Sequence, residues 1–316
     1  MKLRKHIISI ILISLLFCAC AQGRICYTYG STKRVPICES AEEAGVKLRE
    51  AMIKRSEVVE ICLLTDTAAS ESEPIIDAVF EKALEHTGEP DEGDYLRFQY
   101  ERCSASAEPA ATEGRTAVLI TYNISYYTTA EQEEATGEKV AEIVEGLDLE
   151  GKTEKEKADA VYDYICSNVS YDYEHWGESD YSLKRTAYVA LVDGNAVCQG
   201  YCAALYRLLL AAGVDNRIIY GTGCHDSKGS ENHTWNLIDV YGVYYNADVT
   251  WDAGEKSRKY YLKSDETFED DHTRSKEYIS DSLAADRDFK PEDDDATFTA
   301  MAGTLIKAAA KTLVKQ

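Results

Sequence analysis

The chain has 316 residues, 45% of them apolar, with a formal charge of -22 at neutral pH. That is material for a hydrophobic core in each of two modules, and the acidic excess argues against nucleic acid or anionic lipid as partners. Ten cysteines are unusual for a reducing cytosol and fit an exported protein.

Met1 to Ala21 reads as a targeting segment. Lys2, Arg4 and Lys5 precede an apolar run, Ile7 to Phe17, interrupted by Ser9 and Ser14. The run is too short for a comfortable bilayer span. The small residues and cysteines after it, Cys18-Ala19-Cys20-Ala21, fit two cleavages. Cys20, with Ala19 before it, resembles the lipidated cysteine of a bacterial lipoprotein, although Phe17 departs from the usual leucine. Alternatively, Ala19-Cys20-Ala21 is a small-x-small site and the product is freely secreted. The lipoprotein is the preferred expectation, with the mature domain facing outward and touching the membrane through its lipid. Setting aside Cys18, Cys20 and Cys198 leaves seven cysteines, an odd number, so at least one thiol is free. Cys26 with Cys38 is the favoured bridge; Cys62 and Cys103 either pair or are buried.

Residues 22–150 read as a small α+β accessory domain. Ala41 to Lys54 and Ser72 to His86 have helical patterns, Glu57 to Leu64 is an apolar strand, and Tyr95 to Ser104 and Arg115 to Tyr127 alternate as strands. Ala130 to Val144 is a further helix. The order suggests a sheet with helices on one face, and no catalytic constellation is visible.

Residues 151–275 carry the chemistry. Thr153 and Glu156 have capping-box spacing ahead of a helix over Glu154 to Asn168, followed by extended Val169 to Tyr173. His175-Trp176 and Gly177 to Ser182 form a loop that could border a cleft, and Thr186 to Leu191 is a short helix. Tyr201, Leu205, Leu208 and Ala212 then recur at helical spacing until Gly213 stops the helix. Cys198 falls at the N-terminus of that helix, where unpaired N–H groups and the dipole favour a thiolate. Arg217 to Gly223 is a strand and Cys224 to Asn232 a polar loop. His233 to Val240 and Val243 to Thr250 read as a hairpin turning at Tyr241-Gly242. That register puts His233, Trp235, Asp248 and Thr250 on one face, within reach of an imidazole–carboxylate bond. A register one step different, with Val240 and Tyr241 in the loop, sets His233 and Asp248 directly opposite on the same face. A zinc set drawn from Cys198, Cys202, Cys224, His225 and His233 is disfavoured by its spacing, so no metal is expected.

The blocks around Cys198, His233-Thr234-Trp235-Asn236 and Asp248-Val249-Thr250-Trp251-Asp252 resemble the transglutaminase-like superfamily of papain-related thiol enzymes, over roughly Lys152 to Tyr261. The resemblance implies an α+β fold with the cysteine on a helix N-terminus packed on an antiparallel sheet carrying the other two groups. It implies acyl transfer or hydrolysis at amide carbonyls through a thioester, without metal or organic cofactor. Cys198 would be the nucleophile, His233 the general base and then acid, and Asp248 the orienter. Gln199, Tyr201 and Trp235 are candidates for substrate contact or for shielding the reacting groups. Protein or cell-wall peptides are the expected substrates, with hydrolysis preferred to crosslinking and a binding scaffold as the alternative. Residues 276–316 form an acidic segment and a helix over Ala300 to Val314.

Overall fold

The computed structural model describes residues 25–28, 31–224, 229–275 and 283–294. The targeting segment with Cys20, the loop residue His225 and the helix expected at 300–314 lie outside them. Among the described residues, no helix is long and apolar enough to cross a membrane. The chain divides into two compact units interleaved in sequence: Met1–Met52, Ser56–Ala83 and Cys103–Ile124 form the first, and Ile53–Arg55, Leu84–Arg102 and Ser125–Gln316 the second. Leu84–Arg102 and the residues from Ser125 to 150 therefore fall with the second unit, not with the accessory domain.

The first unit is built on a six-stranded sheet in the order β2-β1-β5-β6-β4-β3. Its elements are β1 (Ile25–Thr28), β2 (Ser31–Arg34), β3 (Ile37–Cys38), α1 (Ala41–Ile53), β4 (Val58–Leu64), α2 (Glu73–Ala83), β5 (Tyr100–Thr112) and β6 (Arg115–Tyr126). The run in β4 buries Val59, Ile61, Cys62 and Leu63, as a strand paired on both sides demands. The Tyr122 hydroxyl donates to the Ile76 carbonyl at 2.9 Å and its ring stacks on Phe80, fixing α2 to β6. At Gly45 an added Cβ would meet Lys82 Cβ at 2.5 Å, so α1 and α2 cross closely through a residue without a side chain. The described cysteines are all free thiols, so the expected Cys26–Cys38 bridge is not formed, and Cys62 and Cys103 are unpaired, with Cys62 buried. Cys26 shares a small core with Cys62, Val35 and Leu119 instead.

In the second unit come α3 (Asp94–Arg97), α4 (Ala130–Gly146), α5 (Glu154–Asn168), β7 (Ser170–Tyr171), β8 (Asn195–Ala196) and α6 (Cys198–Ala211). Next in the chain are β9 (Asn216–Gly223), β10 (Glu231–Val240), β11 (Val243–Ala247), α7 (Val249–Glu255), α8 (Asp265–Phe268) and β12 (His272–Arg274). The strand expected to begin at Tyr95 is preceded by the helical turn α3. The Asp94 carboxylate, fully buried, accepts from Arg217 Nε at 2.8 Å and from the Ile218 N–H at 2.9 Å. That long-range tie overrides the local alternation. The capping box on α5 is present: the Glu156 N–H donates to the Thr153 hydroxyl and the Thr153 N–H to the Glu156 carboxylate. Helix α6 ends at Gly213, which has φ +78°.

The antiparallel sheet runs β11-β10-β9-β12. Its hairpin turns at Tyr241-Gly242, both with positive φ, and pairs Val240 with Val243, the register read from sequence. The second strand is shorter than expected: β11 stops at Ala247, and Asp248 becomes the N-cap of α7. Its Oδ1 accepts the N–H groups of Thr250 and Trp251 at 2.9 and 3.1 Å. Helix start wins over the β-propensity of Val249-Thr250-Trp251 because one carboxylate satisfies two orphan donors. Helix α6 packs on β9 and β10, where Asn236 Nδ2 donates to the Cys202 carbonyl and Asn216 Nδ2 to the Tyr206 carbonyl.

Candidate active site

Cys198 is the first residue of α6 and is partly exposed. Val197, in extended conformation, is the N-cap and offers no side-chain acceptor, leaving the positive end of the helix beside the sulfur. Gly200 sets this position. A Cβ there would lie 2.7 Å from Ala196 Cβ, 2.9 Å from the Lys184 carbonyl and 3.0 Å from that of Thr186. The first turn can pass so close to the preceding chain because residue 200 is glycine.

His233 comes from β10 and Asp248 from the end of β11. Nε2 of His233 lies 2.7 Å from Asp248 Oδ2, and both side chains are buried. Burial pushes the Cys198 thiol up, but the influence of His233, and after it of Thr234, outweighs it. The thiol is held below its ordinary value. Burial alone would lower His233; the Asp248 charge and hydrogen bond, with the contribution of Cys198, raise it to about 10. For Asp248, burial is opposed by His233 and by a second ring, His272, which keep the carboxyl well below the usual carboxylate range.

The other expected site residues divide. Trp235 is buried, and its Nε1 donates to Asn246 Oδ1 at 3.0 Å. Its ring centroid is 6.4 Å from that of His233, whereas Trp251 stacks closer, at 4.8 Å, and is the nearer shield. Tyr201 is not placed to meet substrate: it is buried and its hydroxyl donates to the Val169 carbonyl at 2.7 Å. Gln199 spends its amide N–H on the Phe98 carbonyl at 2.6 Å, tying down the first turn of α6.

Sequence reasoning missed His272. On the edge strand β12, paired with β9, it is 2% exposed and its Nε2 lies 3.2 Å from Asp248 Oδ2. With no periodicity around it, only spacing-free long-range pairing reveals it. His233, Asp248 and His272 are also a group whose ligand atoms lie within 4.8 Å of one another. The two ring nitrogens, however, aim at the same carboxylate oxygen at hydrogen-bond distance, which is the geometry of shared protons and not of lone pairs meeting at a metal. Of the disfavoured zinc set, Cys202 is fully buried, and burial pushes its thiol well up.

Beside His233 opens a cavity of about 560 Å³ walled by Tyr171, Tyr173, Trp176 and Trp251, with Glu231 and Glu255 at its lining. Tyr173 and Trp176 are 79% and 60% exposed. The loop that carries Trp176 is nonetheless anchored. The Lys184 ammonium, buried, donates to the carbonyls of His175, Trp176 and Glu178. Asp172 accepts the His175 N–H at 3.0 Å. Two large aromatic rings are thus exposed on a loop that these hydrogen bonds hold.

Residues 141–251, a span that includes Cys198, His233 and Asp248, match the transglutaminase-like superfamily. Over 122 residues the chain is 29% identical to kyphoscoliosis peptidase of Mus musculus and of Homo sapiens, covering 36% of this chain and 18% of each of those proteins. It thus spans less than a fifth of the length of the curated relatives it matches. A TGase of known structure aligns with a TM-score of 0.34 at 13% identity, over 69% of this chain and 60% of that one. Residues 141–251 are thus similar to transglutaminase-like proteins, and the described fold is α+β.

Proposed function

We propose that this protein is an exported thiol enzyme that cleaves peptide, isopeptide or side-chain amide bonds. The observation that carries the reading is Cys198 at a helix N-terminus in the same unit as His233, whose ring is bonded to the buried Asp248 carboxylate. The Cys198 thiolate attacks the amide carbonyl carbon. The protonated His233 gives its proton to the leaving nitrogen as the C–N bond breaks, leaving a thioester. His233, now neutral, takes a proton from water, whose oxygen attacks the thioester; the acid departs and the thiolate–imidazolium pair is restored. Asp248 keeps Nε2 of the ring protonated throughout, so that the other nitrogen serves the sulfur. The aromatic cavity beside His233 supports a peptide chain as substrate, and its two carboxylates suit a neutral or cationic side chain. Water is the abundant nucleophile outside a cell, which favours hydrolysis; a primary amine in its place would make the enzyme a crosslinker. The basic and apolar N-terminal segment, with Cys20, supports export and a lipid anchor.

Incubation with a peptide library, with and without a primary amine, read by mass spectrometry, tests the activity. Cleavage is expected in both arms, and its loss in Cys198→Ala. Amine incorporation without cleavage would make it a transamidase. Neither product would point to a scaffold that keeps the fold without turnover.

A further inference from the structure

His272 lies outside the segment that matches the family, yet its ring backs directly onto Asp248. Its two nitrogens face two carboxylates: Nε2 is 3.2 Å from Asp248 Oδ2, and Nδ1 is 2.7 Å from Asp271 Oδ1. An ionised carboxylate can only accept. For both contacts to be hydrogen bonds, both nitrogens must carry hydrogen, and the ring is then an imidazolium.

The surroundings are built for that charge. The Tyr260 hydroxyl donates to Asp271 Oδ2 at 3.0 Å, and the Lys259 ammonium lies 3.8 Å from the same oxygen. Asp248 Oδ1 is taken up by the N–H groups that start α7, which leaves Oδ2 to be shared by the two rings. Four aromatic rings enclose His272, with centroids at 3.9 Å for Phe268, 4.3 Å for Trp251, 5.1 Å for Trp235 and 5.6 Å for Tyr260. Aromatic faces attract a cation, most strongly away from water. Arg274, on the same strand, is turned to Asp265.

We propose that His272 is a positioning residue held as a buried imidazolium, locking the Asp248 carboxylate and placing a second positive charge behind the Cys198–His233 pair. The proposal rests on the reading of those three groups as the reacting ones. The rings of His233 and His272 are 5.6 Å apart. A cation at that distance favours loss of the proton from Cys198 and opposes protonation of His233, so removing it raises the pH at which each titrates.

Long-range proton–nitrogen spectra of the full chain with ¹⁵N-labelled histidine test the charge directly. His272, identified by its absence in His272→Gln, is expected to show both nitrogens at imidazolium positions at pH 7, in wild type and in Cys198→Ala. A neutral tautomer in those spectra overturns the proposal. The pH dependence of iodoacetamide alkylation at Cys198 tests the consequence. In His272→Gln, which keeps an N–H donor for Asp248 but no charge, the midpoint is expected to rise by about one pH unit. A lower rate with an unmoved midpoint would reduce His272 to a packing role and overturn it. If wild-type Cys198 itself alkylates like an unfolded thiol, the active-site reading fails, while the spectra still decide the charge on His272.

Discussion

Asp248 uses its two oxygens for two different jobs: Oδ1 caps α7 through the N–H groups of Thr250 and Trp251, and Oδ2 holds His233 Nε2 at 2.7 Å. Asparagine caps a helix about as well as aspartate, so Asp248→Asn spares the helix and removes the charge that keeps His233 protonated. We expect kcat/KM to fall by about 10² to 10⁴ and Tm to fall with it, because His233 loses its buried charge partner. Asp248→Ala should lose the same activity and in addition about 1 kcal/mol of cap stability, read from urea denaturation. Equal activity in Asp248→Asn and wild type would remove the carboxylate from the mechanism.

The pH dependence of kcat/KM follows from the shifts around the sulfur. The acid limb should lie below the ordinary thiol range of about 8.5, because Cys198 is depressed. Activity should fall again as the pH rises through about 10, where His233 loses its proton. The same pair bears on stability, with opposite signs at its two ends. The raised His233 stabilises the fold fully below its unfolded value of about 6.5, and that contribution is lost as pH rises through about 10. The depressed Asp248 stabilises above its unfolded value of about 3.9 and loses this as pH falls through its native value. Both contributions are complete between those two unfolded values, and denaturation at a series of pH values measures them.

Gly200→Ala places a methyl group against Ala196 and the carbonyls of Lys184 and Thr186. The backbone of these segments must move apart, which costs about 1 to 3 kcal/mol and displaces Cys198. Activity should drop about tenfold or more, since an ångström of misplacement can cost on the order of 10²-fold. Purified variant with native Tm and full kcat/KM would show that Gly200 does not set the sulfur.

Trp176 is 60% exposed and carried by a loop that Lys184 anchors. Trp176→Ala should leave stability within about 0.5 kcal/mol and raise KM for peptides several-fold, with kcat less affected. Lys184→Met should also raise KM, by freeing the loop. Steady-state kinetics on a cleaved peptide separate the two parameters; a fall in kcat alone would put Trp176 in the chemistry and not in binding.

Much of this site was legible in the sequence because local rules and long-range packing agree there. The stripe of Tyr201, Leu205 and Leu208 and the stop at Gly213 define α6, and so place Cys198 at its start. Tyr241-Gly242 fixes the hairpin register that brings His233 toward Asp248. The errors arose where side chains compete with propensity. Val249-Thr250-Trp251 has strand character, yet one carboxylate converts it to a helix start. Tyr95 sits in a helical turn because Asp94 is claimed by Arg217, more than a hundred residues away. Tyr201 and Gln199 were drawn to the site by adjacency to Cys198, but their polar groups are taken by the Val169 and Phe98 carbonyls. His272 had no local signal at all, since a three-residue edge strand has no periodicity to read.

The central claim is that the Cys198 sulfur is ionised in the resting protein by its neighbours. The most direct test is the iodoacetamide rate at Cys198, followed by mass spectrometry of its peptide from acid to alkaline pH, in wild type and His233→Gln. The account predicts a midpoint below the ordinary thiol value of about 8.5 in wild type, moving upward in the variant. A wild-type midpoint at that ordinary value, unmoved by the substitution and with the rate of the unfolded chain, would contradict it.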